Sequence, residues 1–97
     1  MISIKNKVEP EKLEDWFIEN KELVYLRSVE TARQLVDNKE TKEEILFEFY
    51  WNDTIYSKIF MSRKDIKTAM EKALDYFIPL EMFEKAQEIK NITDLLE

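Results

Sequence analysis

The chain has no histidine, no cysteine and no glycine. Carboxylates are therefore the side chains best suited to hold a cation or divide acid and base roles. The most reaction-like spacing is Glu48, Asp53 and the run Asp65-Ile66-Lys67. Paired acids of this kind can bind Mg²⁺ through hard oxygen ligands, or cleave glycosides as an acid and a base.

That spacing loosely resembles the Asp…(Asp/Glu)-x-Lys pattern of metal-dependent nucleases. Each member also has a plainer structural role. Asp65 stands three residues after Ser62, as in a capping box with Asp in place of the usual Glu or Gln. Lys67 falls on a solvated helix face. Glu48 can oppose Lys58 across a hairpin. A nuclease also needs a basic groove, and the net charge here is −6, which repels phosphate backbones.

Other chemistries are excluded by composition. A phosphate-cradling loop needs glycine. Ordinary zinc sites, Ser-His and Cys-His pairs, and near-neutral proton switches need histidine or cysteine. Asp37-Asn38-Lys39-Glu40-Thr41 lacks the ligand alternation and turn glycine of a calcium loop. The expectation is a binding protein, not an enzyme, with no catalytic residue, metal or cofactor.

Ninety-seven residues point to one small domain, 1–97, with a modest core. Six Phe, four Tyr and two Trp offset the small size, because each ring can bury roughly 150–250 Å². Nothing near Met1 has the apolar core of a leader, and no stretch approaches the roughly 18 apolar residues of a membrane span. A cytoplasmic location without membrane contact is expected. Residues 65–97 hold −4 of the −6 charge.

Without glycine, left-handed backbone positions fall to the next best residue, asparagine. Asn20, Asn38, Asn52 and Asn91 stand where periodicity changes and are taken as element boundaries. Pro10 and the acids after it suit a helix N-terminus, and Leu13, Trp16, Phe17 and Asn20 follow at helical spacing. A second stripe, Tyr25, Leu26, Val29, Ala32 and Val36, is out of phase with the first. That predicts a break near Asn20–Glu22; the rival reading makes Glu22–Arg27 a strand.

From Ile45 the period changes to 2, which predicts a β-hairpin over about 44–51 and 55–61. Ser62 opens a helix with the stripe Ile66, Met70, Ala73 and Phe77. Pro79 breaks it, and Leu80, Phe83, Ala86 and Ile89 resume helical spacing. The fold class is α+β: two helices, a hairpin, two helices.

A three-residue loop, Asn52-Asp53-Thr54, would place Trp51 opposite Ile55. One face would then carry Ile45, Phe47, Phe49, Trp51, Ile55, Ser57, Ile59 and Met61. The other would pair Glu48 with Lys58, Tyr50 with Tyr56, and Leu46 with Phe60. Those six residues are the candidate partner-binding set. Aromatic rings around a charged pair have the composition of interface cores, unless helices cover both faces.

The leading expectation is a small acidic protein-interaction module: an inhibitor, immunity protein or phage-type modulator. Its partner would be another protein with a basic surface, met by charge complementarity. A homo-oligomeric structural or regulatory subunit, such as a homodimer, is the alternative. Nucleic-acid binding through Lys58, Arg63 and Lys64, or stacking on a small ligand, ranks below both.

Overall fold

The computed structural model describes residues 1–96. Its elements alternate with the sequence period. Strand β1 spans Ile2–Lys5. A 3-10 turn at Pro10–Lys12 leads into helix α1, Leu13–Glu19, and then α2, Lys21–Asp37. Strands β2, Glu43–Trp51, and β3, Thr54–Ser62, form the hairpin. A second 3-10 turn, Arg63–Asp65, leads into α3, Ile66–Phe77, and α4 follows at Phe83–Asp94. The fold is α+β.

The break between α1 and α2 falls at Asn20, whose side-chain amide donates to the Trp16 carbonyl at 2.8 Å. Residues Glu22–Arg27 are helical, not a strand. Strand β1 adds a parallel neighbour to β2 that the hairpin pattern did not foretell, pairing Ile2 with Phe47 and Ile4 with Phe49. The sheet order is β1-β2-β3.

One buried cluster joins sheet and helices. Phe47 and Phe49 from β2 meet Leu35 of α2, Phe77 of α3 and Ile89 of α4. Trp16 packs edge-on against Phe47 and Phe49 with ring centroids 5.4 and 5.1 Å apart, which seats α1 on the same sheet face. The stripe Ile66, Met70, Ala73 and Phe77 is buried throughout. The molecule is only 16 Å thick along its shortest axis. That leaves room for one sheet and one helix layer, since packed layers stand roughly 10 Å apart.

Several sequence expectations need correction. Positive φ angles occur at Asn6, Asn52, Asp53 and Glu81, whereas Asn20 and Asn38 end their helices with negative φ. Asn91 lies inside α4 rather than at its end. Its side chain accepts from Gln87 one turn back at 3.0 Å, on an exposed face. Leu80 and Phe83 are exposed, because the chain reverses at Glu81 and resets the helical phase. The buried α4 stripe is Ala86, Ile89 and Ile92. Ser62 does not cap a backbone N–H; its hydroxyl donates to the Asp65 carboxylate at 2.6 Å.

The hairpin loop has two residues, not three. Asn52 and Asp53 have φ of 51° and 61°, the left-handed pair that a type I′ turn requires. Trp51 therefore opposes Thr54, and Tyr50 opposes Ile55. Two irregularities then shift the ladder, one between Phe49 and Tyr50 and one between Ile45 and Phe47. In the first, Tyr56 is the extra residue on β3; in the second, Leu46 is the extra residue on β2. The first bulge restores Glu48 opposite Lys58, the pairing that the longer loop was invoked to explain. The expected pairs Tyr50–Tyr56, Leu46–Phe60 and Trp51–Ile55 do not form.

Candidate functional site

The bulges redistribute the six residues of the candidate surface. Leu46 turns into the core and is 4% exposed. Arg27 explains how the bulge around it is held. This buried side chain of α2 donates from Nε to the Leu46 carbonyl at 3.1 Å and from Nη2 to the Ile45 carbonyl at 3.0 Å. Its Nη1 faces the Glu30 carboxylate at 3.2 Å. A buried cation is tolerated because two carbonyls accept from Nε and Nη2 and the Glu30 carboxylate offsets the charge, although Nη1 itself makes no hydrogen bond among the described residues.

Tyr56 also leaves the expected face. Its ring packs on Phe49 at 6.1 Å between centroids, and its hydroxyl donates to the Val8 carbonyl at 2.7 Å. That bond ties the segment after β1 to the hairpin. Burial raises the phenol above its ordinary pKa of 10, with the nearby Glu11 carboxylate as the smaller cause. The tip is pinned as well. The Asn6 side-chain amide donates to Asp53 Oδ1 at 3.3 Å, and the Asp53 backbone N–H donates to Asn6 Oδ1 at 3.4 Å.

Glu48, Tyr50, Lys58 and Phe60 remain together on the outer face. The strand register arranges that face in three rows. Lys5, Tyr50 and Ile55 stand nearest the tip. Ser3, Glu48 and Lys58 form the middle row, and Ile45 with Phe60 the far one. None of Ile45, Tyr50, Ile55 and Phe60 packs against the buried cluster. Phe60 is 49% exposed. Lys5 Nζ sits 5.5 Å from the Tyr50 ring centre, a cation–π contact. Lys5 and Ser3 could not be placed here without knowing β1. A regular ladder would put Ile45 and Ile55 on the opposite face; the bulges bring both to this one.

Electrically the face is mixed: Lys5 and Lys58 oppose Glu48. The residues suited to reaction chemistry do not converge. Asp53 is at the hairpin tip and Asp65 lies beyond the far end of β3. A nine-residue strand separates them by roughly 27 Å at about 3.3 Å per residue. Among the described residues no three carboxylates gather into a metal-binding group, and no helix is long and apolar enough to cross a membrane.

A second apolar surface lies at the α3–α4 turn, where Ile78, Leu80 and Phe83 are exposed around Glu81. No family model, curated protein or solved structure matches this chain.

Proposed function

We propose that the protein is a non-catalytic interaction module that docks a partner protein on the outer face of its sheet. The observation that carries this reading is the row structure of Tyr50, Ile55, Ile45 and Phe60, which lies on a doubly bulged hairpin and outside the buried cluster that the helices form with the sheet. Aromatic anchors interleaved with a few charges suit the centre of an interface.

Face docking is favoured over edge pairing. Strand β3 is an edge strand, but the Tyr56 bulge and the exposed Lys58 interrupt it, which are devices that discourage added strands. Area weighs against a flat homodimer. Three strands cover a footprint of roughly 27 by 15 Å, or about 400 Å². A standard interface takes about 800 Å² per partner. A partner that wraps the rim supplies the difference; two flat faces do not. The mixed charge of the face leaves the −6 net charge to act at long range, steering a basic partner before contact.

The test pairs binding with stability. Tyr50→Ala combined with Phe60→Ala should abolish co-purification of the native partner while the melting transition stays cooperative. Retention of the partner by this variant would overturn the reading. Light scattering decides the homodimer alternative: a dimer in the wild type that this variant dissolves would replace the proposal.

A further inference from the structure

A cleft of about 660 Å³ opens between the ends of three helices, and four cations line it: Lys39, Arg63, Lys64 and Lys67. Among the described residues, no acidic side chain belongs to its lining. Asp37, Glu40, Asp65 and Asp94 are close in sequence but are not among its described lining residues. In a chain of net charge −6, that concentration of positive charge is the reverse of the average surface. Among the described residues, none of the four cations lies within ion-pair distance of a carboxylate.

Arg63 is fixed in place. Its Nη2 donates to the carbonyls of Leu35, Asn38 and Thr41 at 2.6, 2.7 and 2.7 Å. These carbonyls belong to the end of α2 and the loop after it, so Arg63 offsets the negative end of that helix. Its Nε and Nη1 make no hydrogen bond among the described residues. Each helix end contributes about half a unit charge. The ends of α2 and α4 and the start of α3 together subtract about half a unit from the four side-chain charges, so the described lining stays strongly positive. Its remaining wall is apolar, formed by Val36, Leu95 and Leu96, with Thr93 beside them.

We propose that this cleft binds a small phosphate-bearing ligand with an apolar or aromatic body. A single carboxylate leaves most of the positive charge unmatched, a phosphate monoester of about −2 offsets roughly half of it, and a pyrophosphate comes closer to balancing it. Arginine and lysine are the usual partners of such groups. The leucine wall takes the body, and the volume lies in the range of small-ligand pockets. A long nucleic acid is disfavoured, because its backbone has to continue across an acidic surface. No strand residue lines the cleft, so this inference is independent of the sheet face.

The test is an amide NMR titration of the full chain with inorganic phosphate, pyrophosphate, phenyl phosphate and a thymidine oligonucleotide. Sodium chloride at matched ionic strength is the control. Saturable shifts confined to residues 36–39, 63–67 and 93–96 are expected. Phenyl phosphate should bind about fivefold tighter than phosphate if the apolar wall is used. Lys64→Glu with Lys67→Glu should weaken pyrophosphate about tenfold or more. Both lysines are exposed, so the melting temperature should hold. Arg63 stays intact in that variant because its replacement strips the α2 carbonyls. Shifts that match sodium chloride, or a double variant that binds as the wild type, would overturn the proposal. So would binding of the oligonucleotide alone.

Discussion

Phe47 and Phe49 are fully buried, while Tyr50 and Phe60 on the same two strands meet no helix. The inner face is held from several directions: by the rings of Trp16 and Phe17, by Arg27 on the Ile45 and Leu46 carbonyls, and by Tyr56 on Val8. The outer face has one side-chain contact of note, Lys5 over Tyr50. Both faces are aromatic, so hydrophobicity alone does not tell them apart. The difference lies in what the backbone bulges send inward. Leu46 and Tyr56 are the extra residues of their strands, and each is drawn to the core side.

This division of labour makes graded predictions. Phe49→Ala should cost the most, about 3–5 kcal/mol of unfolding free energy, as for a large ring removed from a close-packed site; urea denaturation measures it. Arg27→Ala should cost about 3 kcal/mol, since it leaves two strand carbonyls without their charged donor. If Arg27→Ala costs under about 0.5 kcal/mol, the bulge does not depend on that anchor.

Tyr56→Phe should cost about 1 kcal/mol, the value of one hydrogen bond with the ring retained. The same residue has a pH signature. A phenol with a raised pKa in the folded state stabilises fully below its unfolded value near 10 and loses that contribution as pH rises through its folded value. Tyr56→Phe should therefore flatten the alkaline loss of stability above pH 10. Smallest of all, Phe60→Thr should change stability by no more than about 0.5 kcal/mol, because its ring is half exposed and a β-branched residue suits the strand. A loss comparable to that of Phe49→Ala would show that the outer face is core.

The hairpin was legible in the sequence because Ile45–Trp51 alternates with period 2 over seven residues. The α3 stripe was legible for the same reason at period 3.6. The register was not. A regular ladder made a three-residue loop the natural way to bring Glu48 opposite Lys58; a two-residue turn followed by a bulge does the same. Bulges leave little trace in a chain without glycine, since nothing at Leu46 or Tyr56 marks an extra residue. Strand β1 is four residues long and its partner lies 45 positions away, so only the short alternation Ile2-Ser3-Ile4-Lys5 hinted at it. Arg27 stood among apolar stripe residues of α2, and no local pattern says that its charge is satisfied by carbonyls of another element. Glu81 was equally hidden, because glutamate carries no preference for positive φ.

The outer sheet face and the α3–α4 turn can be told apart most directly by photo-crosslinking in the native host. A benzoylphenylalanine placed at position 60 reports on the outer face, and one at position 83 reports on the α3–α4 turn, whose Phe83 is more exposed than Phe60. A discrete adduct with one partner is expected from position 60 and none from position 83. An adduct from position 83 alone, or none from position 60, would contradict docking on the outer face.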